Sequence, residues 1–268
     1  MTKIVLTIGG SDPFAGGGIQ TDLKTFGDYH TFGISVLTSI VTLVDNNLAI
    51  HPVTKEVFLA QLKSIEQVNF SGIKIGLIAN PEFIPLIKEF LQKHPNIPII
   101  LDPVLVFKEG NSAIEKEILA GIRGELAPLA TLITPNLTEA ETLSKRKINS
   151  LQEMKEVAIL LQKEYKTAVL IKGGGRLAGE RAIDLLALPE TKIVEYQAQK
   201  IKAITINGAG CSLSAAITAG LTKDKLEKAV SDAKGYVYKS IQAGVMVTAE
   251  FGSVYFEESI IKSNNLTA

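Results

Sequence analysis

The chain has 268 residues, of which 46% are hydrophobic and 21% are charged, and this composition can supply a full apolar core. Lys and Arg together number 28, as do Asp and Glu, so no net charge draws the chain to nucleic acid or to acidic lipid. A single cysteine excludes an intramolecular disulfide, no apolar run could span a bilayer, and the first five residues have no signal-peptide layout. We therefore expect a cytoplasmic protein that binds neither nucleic acid nor membranes.

Short β-branched runs alternate with helical patterns along the chain. The runs are apolar on both faces, which suits buried parallel strands. Two motifs, Thr-Glu-Ala-Glu at 138–141 and Ser-Leu-Gln-Glu at 150–153, have the form of capping boxes that begin helices. The predicted strands are 4–8, 34–44, 73–78, 97–101, 131–134 and 168–171, and the helical stripes lie within 58–65, 154–161 and 226–241.

This alternation predicts an α/β fold, a three-layer α/β/α sandwich with a mostly parallel central sheet. Its functional site should lie at the carboxyl ends of the strands. Two further strand-like runs, 181–188 and 192–199, flank Pro189-Glu190 and predict a small hairpin at the edge of the sheet. No shift of composition marks a linker, so we expect one domain over residues 1–258 and a frayed polar tail at 259–268.

A glycine-rich segment follows the first predicted strand, Gly9-Gly10-Ser11-Asp12 and then Gly16-Gly17-Gly18. Glycines let the backbone approach a ligand closely, and Asp12 adds an acceptor within the loop. No Gly-Lys-Ser/Thr follows, so the segment is not a P-loop. A flexible strand–helix turn is the alternative interpretation.

A second glycine turn, Asn207-Gly208-Ala209-Gly210-Cys211, precedes a helical run of small residues. A Gly-x-Gly turn at a helix N-terminus presents free N–H groups and the positive end of the helix dipole, which suits a phosphate. Cys211 falls in the first turn, where that field lowers the pKa of a thiol. The alternative is that Cys211 is a small apolar residue of the core.

Polar residues also stand where other predicted strands end. Asp102 closes one strand before a proline, and Lys172 closes another before three glycines. Asn136 and Glu139 lie three residues apart, so they can face one point and offer oxygen ligands to Mg²⁺, although such a pair more often caps a helix. Lys172 can neutralise phosphate, or it can simply extend its charge to solvent from the strand end.

In this order, the segments resemble the hydroxymethylpyrimidine kinase/pyridoxal kinase branch of the ribokinase-like superfamily, and within it the bacterial pyridoxal kinases. The resemblance runs from residue 3 to about residue 243. The motifs that carry it are Gly9-Gly10-Ser11-Asp12 with the glycine run at 16–18, Ile73-Lys74-Ile75-Gly76-Leu77, Leu101-Asp102-Pro103-Val104, Thr134-Pro135-Asn136-Leu137-Thr138-Glu139, Ile171-Lys172-Gly173-Gly174 and Gly208-Ala209-Gly210-Cys211.

The resemblance implies a ribokinase-like fold and a kinase that uses ATP and Mg²⁺ to phosphorylate a primary hydroxyl of a small vitamin. It assigns the anion hole to the turn that holds Gly208, Ala209 and Gly210. Cys211 would be the base, at a position where most ribokinase relatives carry Asp. The residues that would line the vitamin are Asp12, Gly10, Leu43 and Gly76.

The same resemblance implies two further sets of ligands. It assigns Mg²⁺ to Asp102 and Glu139. The implied nucleotide contacts are Lys172, Gly174, Thr134, Asn136 and Lys234. Relatives are commonly homodimers, so we expect one here. Residues 107–112 and 173–181 are the candidates for a lid, because glycine and charge cluster in both.

Two departures from the family pattern bear on the substrate. Leu43 stands where the pyrimidine kinases usually carry Gln, and Gly175 stands where the family carries His. Loss of a side-chain amide from a hydrogen-bonding pocket favours pyridoxal, pyridoxine or pyridoxamine over the pyrimidine. A hydroxymethylpyrimidine (phosphate) kinase, or an enzyme with both specificities, is the alternative.

Other classes fit less well. A sugar or nucleoside kinase of the same superfamily would carry Asp in place of Cys211. A sensor that binds without turnover would not need Asp102, Glu139 and Lys172 together. A dinucleotide-binding oxidoreductase would need Gly-x-Gly-x-x-Gly after the first strand and an acidic residue about twenty residues on.

Overall fold

The computed structural model describes residues 1–45, 47–105 and 113–256. Its strands are β1 (Ile4–Ser11), β2 (Phe32–Val44), β3 (Asn47–Pro52), β4 (Gly72–Ile75), β5 (Ile99–Leu101), β6 (Leu132–Ile133), β7 (Ala168–Lys172), β8 (Arg181–Ala187), β9 (Ile193–Gln199), β10 (Val245–Met246) and β11 (Gly252–Ser253). Its α-helices are α1 (Gly18–Asp28), α2 (Lys55–Ser64), α3 (Phe83–Gln92), α4 (Ala113–Gly121), α5 (Leu137–Ser144), α6 (Leu151–Tyr165), α7 (Ala209–Gly220) and α8 (Leu226–Gln242).

Nine strands form one sheet in the order β3-β2-β1-β4-β5-β6-β7-β8-β9. The six central strands, β2, β1, β4, β5, β6 and β7, are parallel to one another. Strand β3 at one edge and strands β8 and β9 at the other are joined antiparallel. The hairpin predicted at 181–199 is confirmed as β8 and β9. Strand β3 was not predicted, because Asn47, His51 and Pro52 make it look like a loop; it forms by pairing with the far half of β2.

Helices cover both faces of the sheet. Phe26 of α1 and Ala215 of α7 pack on Val5, and Val230 of α8 packs with α7 further along the same face. On the opposite face, Phe58 of α2 belongs to the core cluster that α3, α4, α5 and α6 complete. The predicted three-layer sandwich is therefore confirmed.

The order in which strands are added to the sheet reverses at β1. The chain crosses from β1 through α1 to β2 on one side, and it returns through α2 to β4 on the other side of β1. Two neighbouring strands whose connections leave in opposite directions open a crevice at their carboxyl ends, where ligands bind in open α/β sheets. The glycine-rich loop after β1 and the turn after β4 border this crevice.

Capping explains where two helices begin. Ser150 caps α6 and forms the predicted box with Glu153. The box predicted at 138–141 is wrong, because α5 begins two residues earlier. Asn136 is its N-cap: the Asn136 side chain accepts from the Glu139 N–H at 2.9 Å, and the Glu139 carboxylate accepts from the Asn136 N–H at 2.7 Å. Asn is the stronger N-cap residue of the two candidates.

Some predictions fall on residues that the structure does not describe. The candidate lid at 107–112 and the tail at 259–268 lie outside the described residues, and the single domain over 1–258 stays a prediction. Within the described part of the chain, no helix is long and apolar enough to cross a membrane.

Candidate active site

The Asp102 carboxylate lies at the centre of the candidate site, directly after β5, and is 1% exposed. Its Oδ1 accepts from Lys172 Nζ at 2.7 Å and from Thr134 Oγ1 at 3.3 Å. Its Oδ2 accepts from Ser214 Oγ at 2.9 Å. One carboxylate thus joins the carboxyl ends of β5, β6 and β7 to the first turns of α7.

Lys172 extends from the end of β7 towards the N-terminus of α7. Its Nζ lies 3.4 Å from the point where a Cβ on Gly210 would stand. Burial alone would lower the pKa of Lys172, but Asp102 and Glu139 raise it above its ordinary value, so the ammonium stays charged. Lys172 and the glycine turn therefore lie next to each other.

The glycine turn forms the N-terminus of α7. Gly208 is the N-cap with φ of 85°, and a Cβ there would stand 3.2 Å from Thr21 Oγ1. No side chain caps this helix. The Ala209 N–H donates to the Ile206 carbonyl at 3.1 Å, so the N–H groups of Gly210 and Cys211 are the ones that keep their capacity to bind an anion. With Lys172 beside them, they can hold a phosphate group.

Cys211 lies in that first turn and is half-buried. A Cβ on Gly17 would stand 3.5 Å from its Sγ. Burial raises the pKa of the Cys211 thiol above its ordinary value, and the opposing charge of Lys74 does not outweigh that effect. The prediction that the helix field lowers this pKa is therefore wrong for the free protein, because desolvation is the larger effect.

Glu139 is buried at the start of α5, facing Asp102. Burial raises its pKa to about 7; the charge of Lys172 opposes this shift and that of Asp102 adds to it. A buried carboxylate of this kind gains from a nearby cation, so Asp102 and Glu139 fit Mg²⁺. Among the described residues, no three His, Cys, Asp or Glu side chains could hold a metal together. Phosphate oxygens and water would have to complete such a site.

The glycine-rich loop after β1 is a tight turn whose polar groups are largely paired. Asp12 Oδ1 accepts from the Phe14 N–H at 2.9 Å, and the Asp12 N–H donates to Gln20 Oε1 at 3.0 Å. Gly18 has φ of 63°, and a Cβ there would stand 2.2 Å from the Gly10 carbonyl oxygen, so only glycine fits. The loop brings the Asp12 side chain to the same end of the sheet as Cys211.

The remaining residues predicted to line the vitamin differ in their surroundings. Gly10 faces Ser39 and Leu77, and a Cβ on it would stand 2.9 Å from Ser39 Oγ. Gly76 follows β4 and donates its N–H to the Ile8 carbonyl at 2.8 Å. Leu43 is half-buried on the part of β2 that extends past the end of β1 and pairs with β3.

Asp184 of β8 binds residues at or next to the predicted nucleotide contacts, and the sequence analysis did not single it out. Its Oδ2 accepts from Lys234 Nζ of α8 at 2.6 Å, and its Oδ1 accepts from the Gly173 N–H at 3.0 Å. Gly174 has φ of 54° and open space where a Cβ would stand. A groove of about 650 Å³ between β9 and α8 is lined by Lys234 together with Arg181 and Tyr238.

Thr134 and Asn136 do not present free side chains. Thr134 is fully buried and donates to Asp102, and the Asn136 side chain caps α5. Both are therefore placed to position Asp102 and Glu139 rather than to reach a ligand with their side chains.

The sequence analysis also missed a buried ion pair, Lys74 with Asp22. Lys74 lies in the Ile73-Lys74-Ile75-Gly76-Leu77 motif, but no role was predicted for it. A lysine inside an otherwise apolar parallel strand is the signal that could have marked it, since such a charge is rarely buried without a partner.

Three comparisons with known proteins agree with this geometry. The family model described as Phosphomethylpyrimidine kinase matches residues 12–255. The hydroxymethylpyrimidine/phosphomethylpyrimidine kinase of Rhizobium meliloti (strain 1021) is 37% identical over 247 residues, which are 91% of this chain and 92% of that protein. The pyridoxine kinase of Bacillus subtilis (strain 168) is 36% identical over 243 residues, 88% and 89% of the two chains.

Among solved structures, an ADP complex of Bacillus subtilis pyridoxal kinase has a TM-score of 0.89 and 32% identity. The match covers 95% of this chain and 97% of that chain. Relatives with two different substrates in their names thus resemble this chain to nearly the same degree.

The raised pKa of Glu139 predicts a pH dependence of stability. The folded protein holds the Glu139 proton more tightly than the unfolded chain, so the free energy of unfolding should fall as pH rises from about 4.5 to about 7 and then level off. Glu139→Gln should remove this contribution, so the variant should gain stability relative to the parent across that window. Urea unfolding at several pH values measures the difference.

Glu141→Gln on the same helix is the matched control, because Arg176 and the Ile148 N–H lower the pKa of Glu141 despite burial. That variant should lose stability relative to the parent as pH rises through the ordinary Glu range. A difference between Glu139→Gln and the parent that does not change with pH would contradict the account of Glu139.

Proposed function

Because the chain belongs to the phosphomethylpyrimidine kinase family, and is a kinase that acts on a small molecule, we propose that it transfers the γ-phosphate of ATP to the primary hydroxyl of pyridoxal, pyridoxine or pyridoxamine. The observation that carries this proposal is the charged Lys172 beside the uncapped N-terminus of α7. The ADP in the similar Bacillus subtilis pyridoxal kinase supports ATP as the phosphate donor.

Phosphate transfer needs little covalent work from a protein, so positioning and charge carry most of the catalysis. We propose that the N–H groups around Gly210 and the Lys172 ammonium hold the transferring phosphate and stabilise its growing charge. Asp102 and Glu139 would hold Mg²⁺, which supplies further neutralisation of phosphate charge. Asp102 also orients Lys172 through their 2.7 Å ion pair.

Cys211 would take the proton of the attacking hydroxyl. Its thiol is held neutral in the free protein, so the thiol proton must leave before Cys211 can act as a base. The hydroxyl oxygen then bonds to the γ-phosphorus, the bond to the ADP oxygen breaks, and the hydroxyl proton passes to the Cys211 sulfur.

The nucleotide would extend from this point past Gly174 towards the groove between β9 and α8. The φ of Gly174 and the open space beside it allow a phosphate or ribose to approach the backbone closely. Lys234 lines the groove and is oriented by Asp184, which supports a role for it beside the nucleotide.

The vitamin ring would lie between the glycine-rich loop and the hairpin of β2 and β3. Asp12 supplies an acceptor in that loop, and Gly10 and Gly76 have no side chains that would fill the crevice. Leu43 brings an apolar surface to the hairpin, where an amide would be needed to read a pyrimidine. This is the observation that favours a vitamin B6 substrate.

Phosphorylation of hydroxymethylpyrimidine or its phosphate is the second candidate. The matched family model bears the name of that activity, and the Rhizobium meliloti relative has the same activity in its name at 37% identity. The two candidates share every residue proposed for phosphate transfer and differ only in the pocket for the ring.

We also propose that two copies associate, as the family resemblance implies. Large apolar side chains are exposed along β2 and β3, including Phe32 at 61% and Val44 at 63%. Burial of such a surface against a second copy would be favourable. A sedimentation mass of one chain at micromolar concentration would exclude the dimer.

The proposed substrate predicts the outcome of a turnover assay. Purified protein with ATP and Mg²⁺ should show a higher kcat/KM with pyridoxal or pyridoxine than with hydroxymethylpyrimidine. Leu43→Gln should shift that ratio towards the pyrimidine, because it restores an amide to the hairpin. A higher kcat/KM of the parent protein for hydroxymethylpyrimidine would establish the second candidate, and no turnover with any of these compounds would contradict both.

Cys211→Ala tests the proposed base. We expect kcat to fall by about a hundredfold or more, with KM for ATP changed only a few-fold, because the N–H groups and Lys172 remain. Cys211→Ser preserves the size of the side chain and serves as the packing control; it should also be slow. Turnover by Cys211→Ala within a few-fold of the parent rate would remove Cys211 as the base.

A further inference from the structure

Lys74 and Asp22 form an ion pair buried beneath the glycine-rich loop, and both side chains are 1% exposed. Lys74 Nζ donates to Asp22 Oδ1, and Asp22 Oδ2 accepts from Thr7 Oγ1 at 2.6 Å. The three residues come from β4, α1 and β1, the elements that border the crevice. Their polar groups satisfy one another, so the network is a fixed part of the floor of the site.

A buried ion pair of this kind contributes little net stability to a fold. Removing two charges from water costs several kcal/mol per ion, and well-packed apolar residues in their place are often neutral or stabilising. Lys74 stands in a strand whose other three residues are Gly72, Ile73 and Ile75, where an apolar side chain would suit the core. A function other than stability is therefore the better account of its charge.

Helix α1 connects this pair to Cys211. A Cβ on Gly17 would stand 3.5 Å from the Cys211 sulfur, so the N-terminus of α1 lies against it, and Asp22, four residues after Gly18 on the same face of α1, holds Lys74. Residues four apart on a helix lie about 5–6 Å from each other. Lys74 also reaches up to the crevice, because its Nζ lies 3.6 Å from the point where a Cβ on Gly76 would stand.

Four charged groups act on the Cys211 sulfur. Lys74 and Lys172 favour its ionised form, and Asp22 and Asp102 oppose it. Lys172 is already committed to Asp102 and faces the anion hole. Lys74 instead pairs with Asp22, which has no part in the proposed phosphate site. Asp22 holds the pKa of Lys74 above its ordinary value against the opposing effect of burial, so the ammonium is charged.

We propose that Lys74 is a positioning residue for the reaction: its ammonium, fixed by Asp22 and Thr7, is the counter-charge that stabilises the Cys211 thiolate. This inference rests on the proposed role of Cys211 as the base. Lys74 itself touches neither the phosphate nor the vitamin in this account; it acts only through the sulfur.

The charge of Lys74 makes the proposal testable. Lys74→Met removes the favourable charge and should make the thiolate harder to form. Thr7→Val removes the hydroxyl that donates to Asp22 but keeps both charges, so the thiolate should form as it does in the parent. A network that served only to hold the fold would shift both variants in the same direction, through a common loosening of the site.

Alkylation of Cys211 by iodoacetamide measures the thiolate directly, because the chain contains one cysteine and the labelled mass is unambiguous. We expect the rate at neutral pH to fall about tenfold in Lys74→Met, with its pH profile displaced to higher pH, and to stay within about twofold of the parent rate in Thr7→Val. Lys74→Arg should retain the parent profile, because it restores the charge.

Lys88→Met is the control for a general loss of positive charge, since Lys88 pairs with Glu125 at 3.2 Å on the opposite layer; its profile should match the parent. Lys74→Gln, which keeps a donor for Asp22, replaces Lys74→Met if that variant does not fold, and an alkylation rate equal to that of the parent in the variant used would overturn the proposal. The assay does not depend on turnover. Displaced profiles in a protein whose Cys211→Ala variant remains active would therefore support the Lys74 counter-charge and remove only the base.

Discussion

The carboxylate of Asp102 is the group on which the arrangement of the site depends. It stands at the end of a central strand, 1% exposed, and takes donors from Lys172, Thr134 and Ser214. A buried charge without partners costs more than most single interactions return, so these donors must come together for the chain to fold. Their meeting fixes the ends of three strands against α7, and it places the Lys172 ammonium beside the N–H groups where a phosphate can bind.

Two other Lys–Asp pairs repeat this arrangement along the same edge of the sheet, so that each buried or largely buried lysine is held by one aspartate. The three pairs are Lys74–Asp22, Lys172–Asp102 and Lys234–Asp184. Each pair is neutral as a unit and keeps its ammonium in one place. These three pairs therefore fix ammonium groups where the proposed chemistry makes negative charge, at a thiolate, a transferring phosphate and a nucleotide.

Features that depend on neighbours in the chain could be predicted from the sequence, and features that depend on distant contacts could not. Parallel strands follow from apolar runs, and the Ser150 cap follows from its own motif. Strand β3 needs β2 for its pairing, so its polar residues concealed it. The pKa of Cys211 depends on burial among α1, β4 and α7, and the motif around it predicted the wrong direction. Lys74 meets Asp22 across 52 residues of sequence, and no local pattern joins them.

Nucleotide binding to a Lys172 variant tests the central claim most directly. Calorimetry with a non-hydrolysable ATP analogue and Mg²⁺ should show affinity at least about tenfold weaker for Lys172→Met than for the parent, because a charge-assisted contact to phosphate is lost. Lys88→Met, which removes a charge from the opposite layer, should bind as the parent does. Parent-like affinity in Lys172→Met, with the fold intact by circular dichroism, would contradict the claim that Asp102 holds Lys172 in place for a phosphate.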